Sequence, residues 1–118
     1  MSTVRHFTFA GASFRHEVAH DGSAPIFSSR VFEGTAPWSF VDLVRVPAGA
    51  DIGIHTHERT NEEMYIVISG TGRMHVDGEE IVVNAGDVIV NRPGGTHGLV
   101  NTGSSTLELV VVEVPTQS

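Results

Sequence analysis

Residues 49–70 read GADIGIHTHERTNEEMYIVISG. His55 and His57 stand two apart at the end of an extended piece, and strand alternation puts residues i and i+2 on the same face, so both rings can reach one metal ion. The second half, EEMYIVISG, is rich in β-branched and aromatic residues and closes at Ser69-Gly70, the pattern of a strand that begins at Glu63. A hairpin between the two pieces would bring the Glu63 carboxylate beside the histidine pair. His97, which follows the bend RPGGT, has to arrive from a different hairpin. Only a closed or sandwiched sheet lets it do so, and the spacing therefore predicts a barrel.

The flanking sequence carries the same signature. FVDLVRV (residues 40–46) is a strand run ended by Pro47, and the turn AGAD leads into IGIH. GRMHV reaches Asp77-Gly78, a dipeptide that favours a tight hairpin turn into EEIVV. The turn Asn84-Ala85-Gly86-Asp87 between EEIVV and VIVN predicts the same arrangement again, and LELVVVEV forms a last strand ended by Pro115. Residues 1–39 alternate short apolar pieces with turn residues and support short strands only. No segment has helical period, so the expectation is an all-β sandwich or barrel, with residues 1–118 as a single domain.

Composition narrows the function. Seven Lys and Arg against 14 Asp and Glu leave a net charge of −7, and no basic cluster exists to attract nucleic acid. No apolar run reaches the roughly 20 residues that span a bilayer, and the N-terminus lacks the pattern of a secretion signal, so a cytoplasmic protein with no membrane partner is expected. With no cysteine, a metal must be held by His, Asp or Glu. Three neutral imidazoles, one carboxylate and a divalent ion sum to about +1, a seat for an anionic or chelating small-molecule substrate.

Between Gly49 and Gly70 the spacing Gly, five residues, His55, one, His57, five, Glu63, six, Gly70 resembles the first motif of the cupin family. It has one residue more between the second His and the Glu than the usual form, so the carboxylate is either Glu63 after a longer loop or Glu62. The distance to Gly70 favours Glu63, because a loop absorbs an insertion more easily than a strand. Gly86, Gly94, His97 and Asn101 resemble the second cupin motif, with Arg92 where the family has proline and Pro93 one place on. The resemblance implies a cupin-type jelly-roll barrel with one divalent transition metal (Fe, Mn, Ni, Zn or Cu) on His55, His57, Glu63 and His97. It also implies a homodimer to which the N-terminal strands contribute.

Tyr65 shares the strand parity of Glu63 and is the candidate catalytic hydroxyl, an aromatic filling the barrel being the alternative. His75 is expected to face solvent, and His6, His16 and His20 to lie on the surface. Trp38 could line the barrel mouth or anchor a dimer contact. Arg92 could clamp a substrate carboxylate, although an exposed turn residue is the simpler reading. Three functions fit the four ligands: an oxygenase acting on a small chelating oxygenated substrate; a redox-neutral isomerase, epimerase or decarboxylase; and a non-catalytic small-ligand-binding cupin. With no separate acid or base evident in the sequence, the metal would do the work, which favours the oxygenase.

Overall fold

The computed structural model describes residues 4–34, 37–56 and 59–116. Among them are ten strands and no helix: β1 (Arg15–Glu17), β2 (Ile26–Glu33), β3 (Phe40–Val46), β4 (Asp51–Thr56), β5 (Asn61–Ser69), β6 (Thr71–Val76), β7 (Glu79–Asn84), β8 (Val88–Asn91), β9 (Thr96–Val100) and β10 (Leu107–Pro115). They form a six-stranded sheet in the order β1-β2-β3-β10-β5-β8 and a four-stranded sheet in the order β4-β9-β6-β7. All ladders between these strands are antiparallel. This is the all-β architecture expected from the strand pattern, in the jelly-roll-like form that the cupin resemblance implies.

The core lies between the two sheets. From the large sheet come Val44, Val46, Tyr65, Val67, Leu107, Leu109 and Val111, and from the small sheet Ile52, Met74, Val83 and Leu99. Alternate residues along β3, β5 and β10 reach this core, as the period of two requires. Asn101, in the second motif, ties one end together: its amide donates to the carbonyls of Val46 and Ser105, both at 2.8 Å, and its side-chain oxygen accepts from the Gly103 N–H.

The Asp77-Gly78 turn does join a hairpin, with Val76 opposite Glu79 and positive φ at both turn residues. The second tight turn differs from expectation. Asn84–Asp87 bends as its residues predict, with the Asp87 N–H donating to the Asn84 carbonyl at 3.0 Å, but β7 and β8 do not pair. β7 belongs to the small sheet and β8 crosses to pair with β5 in the large one. The local chemistry of a turn sets its bend; the sheet that the next strand enters depends on which edge is open.

Candidate metal centre

The site begins with an irregularity in β4. Ile52 lies opposite Leu99 and His55 opposite His97, so three steps along β4 match two along β9. This bulge changes the parity of the strand: Ile52 and His55 both face inward, while Ile54 points to solvent. Two glycines make room for it. A Cβ on Gly98 would come within 2.9 Å of Ile54, and one on Gly53 would stand 2.0 Å from the His20 carbonyl oxygen. Residues 19–22 pack directly over β4, where the Gly53 N–H donates to the Ala19 carbonyl at 3.1 Å and the Ser23 N–H and hydroxyl donate to Asp51 at 2.7 Å.

His55 and His97 are thus cross-strand partners on the small sheet, with ring centroids 4.4 Å apart, and Glu63 reaches them from β5 of the large sheet. His97 and Glu63 are almost fully buried, at 1% and 6% exposure. One ligand atom from each of His55, Glu63 and His97 lies within 4.8 Å of the others, and these three residues could hold a metal ion. His97 Nε2 stands 3.4 Å from Glu63 Oε1. Two ligand atoms about 2.1 Å from a shared ion are separated by about 3.0–3.4 Å at tetrahedral or right angles, so the donor set fits a small divalent cation.

The protonation states suit that purpose. His55 Nδ1 lies 2.8 Å from the Gly53 carbonyl, which can only accept, so Nδ1 carries the proton and Nε2 keeps its lone pair for a metal. Burial pulls the His55 pKa down to about 4, with repulsion from His20 and His97 adding to it against the opposing Gly53 bond and Glu63 charge. Its ring is therefore neutral at ordinary pH. Burial raises Tyr65 well above the usual phenol range, followed by the charge of Glu63 and the hydrogen bond to it. Tyr65 keeps its proton, and its hydroxyl is hydrogen-bonded to the Glu63 carboxylate.

A cavity of about 350 Å³ opens onto these ligands, lined by His20, Arg30, Phe40, His55, Asn61, Glu63 and Glu113 among others. A smaller compartment of about 180 Å³ reaches inward to Tyr65 and Ile52. Arg30 stands at the mouth, held by Asp42 through Nε at 2.9 Å and Nη2 at 3.1 Å, with its guanidinium carbon 3.9 Å from the Phe40 ring centroid. Glu113 lies in register between Phe40 and Glu63 on the inner face of the large sheet, a second carboxylate beside the first.

Of the four ligands expected from the motifs, His55, Glu63 and His97 come together, and His57 lies outside the described residues. Glu62 turns away and pairs with Arg92 at 3.3 Å, and Arg92 is an exposed turn residue that does not line the cavity. His75 is half-buried on β6, and its Nε2 accepts from the Gly78 N–H at 3.3 Å. Trp38 lines an apolar groove with Phe7, Phe32, Val41 and Val112 on the outer side of the large sheet, away from the barrel mouth. His16 stacks on Phe27, as a surface residue can, but His20 departs from expectation: its ring stacks on His55 with centroids 3.5 Å apart. Nothing in the N-terminal pattern signals this. His20 reaches the site through a left-handed turn, with φ of 50° at His20 and 57° at Asp21, and through the clearance left by Gly53. Arg30 and Glu113 were likewise invisible as site residues, because their neighbours across the sheet are distant in sequence.

The family model described as "Cupin domain" matches residues 42–113. An oxalate-binding protein from Thermotoga maritima is 35% identical over 69 residues, which cover 58% of this chain and 56% of that protein. The chain therefore matches little more than half of that relative's length. Two solved structures share the fold at 22% identity. One, described as a predicted oxalate decarboxylase from Thermotoga maritima, has a TM-score of 0.89 over 95% of this chain and 100% of the other. The second, KdgF from Halomonas sp., has a TM-score of 0.76 over 98% and 97%.

Proposed function

This chain belongs to the cupin family, and on that premise we propose that it holds one divalent transition metal on His55, His57, Glu63 and His97 and uses it to bind and act on a small, oxygen-chelating acid. His57 enters this set through the motif. The observation that carries the proposal is the shared cavity, lined both by His55 and Glu63 of the candidate metal cluster and by Arg30. Asp42 occupies Nε and Nη2 of Arg30, and Nη1 meets Glu33 only at 3.9 Å, which leaves donors for an anion at the mouth. The relative named as an oxalate-binding protein supports the same ligand chemistry.

For the reaction, Glu113 favours redox-neutral chemistry such as decarboxylation or isomerisation. A site without a separate acid or base favours an oxygenase, whereas here Glu113 is a carboxylate beside the ligands in the same cavity. A bound ion would supply Lewis acidity to the chelated oxygens. Glu113 would carry the proton, Arg30 would orient the acid, and the Tyr65 hydroxyl would steady Glu63.

Oxalate titrated calorimetrically into Mn(II)-loaded and metal-free protein tests the binding, and a panel of small oxo acids and dicarboxylates followed for both carbon dioxide and dissolved oxygen tests the reaction. Oxalate is expected to bind the loaded protein alone, and any turnover to proceed without oxygen consumption. Equal binding without metal would remove the metal from the function, and oxygen uptake would restore the oxygenase.

We also propose that the chain works as a homodimer, joined through the outer face of the large sheet. The outward residues of β5 and β8, Met64, Ile68, Val88 and Val90, are exposed and apolar, where a solvated sheet face normally carries polar residues.

A further inference from the structure

Asn91 ends β8 with its side chain inward, only 2% exposed, and neither its Oδ1 nor its Nδ2 has a hydrogen-bond partner among the described residues. It is the cross-strand partner of Glu63. Partners in an antiparallel ladder project to the same face with Cβ atoms about 4.5–5.5 Å apart. One inward row across the large sheet therefore runs Phe40, Glu113, Glu63, Asn91, with the amide flanking Glu63 on the side away from Glu113.

A buried amide without a partner lowers stability, and a leucine of similar length would fill the position at no such cost. Asn91 is also separated from His97 only by the bend 92–96, so it sits beside one candidate ligand and at the root of the segment that carries another. An ionised carboxylate is acceptor-only, with two oxygens. The Tyr65 hydroxyl already donates to this carboxylate, and when one oxygen faces an ion the remaining lone pairs can still take a second donor in a buried place.

We infer that Asn91 is a positioning residue for the metal centre: its Nδ2 donates to the Glu63 oxygen that the ion does not take, and so sets which oxygen faces the ion. This rests on the metal reading of the site proposed above. In the metal-free protein the amide is a liability, and in the loaded protein it is a hydrogen bond.

The test compares wild type with Asn91→Leu and Asn91→Ser. Thermal unfolding of the metal-free proteins reads stability. Competition with a chelator reads Co(II) affinity, and the visible Co(II) spectrum reads ligand geometry. Leucine should leave the metal-free protein as stable as wild type or more so, and serine, which leaves a void, should destabilise it. Both should bind Co(II) about 10–100-fold more weakly, with a shifted spectrum. An affinity loss shared by variants whose stabilities move in opposite directions cannot come from stability. If wild type binds Co(II) and Asn91→Leu binds it with the same affinity and spectrum, the inference about Asn91 is overturned while the metal site stands. If wild type takes up no Co(II), the metal reading itself falls, and this inference with it.

Discussion

Glu62 and Glu63 are adjacent in the chain and opposite in environment. Strand parity sends Glu63 into the barrel beside His97 and leaves Glu62 with the exposed Arg92. Glu63→Gln should therefore weaken metal binding at least tenfold, and Glu62→Gln should leave it within about twofold, as measured by chelator competition. The reverse order would move the ligand to Glu62. His55 makes the metal-free protein sensitive to acid. Its pKa is about 4 when folded and about 6.5 in an unfolded chain, so between those values the unfolded state binds more protons. Its contribution is present above pH 6.5 and is lost as pH falls towards 4. Unfolding of the metal-free protein followed from pH 7.5 to 4 should show a steeper loss of stability for wild type than for His55→Asn, and equal slopes would show that His55 is not buried as described. Glu63 was legible from its distance to Gly70, a strand spacing that is local. Arg30 and Glu113 were not, because they reach the cavity only through pairing with strands far away in sequence.

At the level of elements, the bulge in β4 does most to build the centre. Regular alternation from the inward Ile52 would turn His55 outward, away from His97 and Glu63; the extra residue restores it. The sequence shows glycine at 53 and 98 but not that one clears His20 and the other Ile54. Gly53→Ala should push residues 19–22 off β4, at a cost of about 1–3 kcal/mol, and should weaken metal binding through the displaced His55. Denaturant unfolding and Co(II) competition check the two effects, and a variant unchanged in both would show that the strand needs no glycine there. The strands themselves were readable because alternation and turn residues are local properties. Their allocation to two sheets was not: Asn84–Asp87 makes the same kind of tight turn whether the chain doubles back or crosses between layers.

At the level of the whole molecule, the large sheet carries apolar residues on both faces. Its inner face packs on the small sheet, and part of its outer face is met by the N-terminal segment, where Phe7 contacts Phe32, and Phe9 and Phe14 lie beneath Arg45. The rest, around Val88 and Val90 on the edge strand β8, is open in the single chain. Light scattering should give twice the mass of one chain. The double variant Val88→Lys, Val90→Lys should be monomeric with an unchanged β circular dichroism spectrum, since both side chains point outward. A monomeric wild type would remove the dimer, and a dimeric double variant would move its interface elsewhere.

The strands, the tight turns and the ordered set of His55, His57, Glu63 and His97 at cupin spacing could be read from the chain alone, because periodicity and spacing are properties of neighbouring residues. The inward aim of His55 came from the bulge against β9, the stacking of His20 on it from the turn at residues 20–21, and the row of Glu113, Glu63 and Asn91, with Arg30 lining the same cavity as Glu113 and Glu63, from the register of strands within the large sheet. A cross-strand register joins residues tens of positions apart, and no local pattern encodes which of them will face each other.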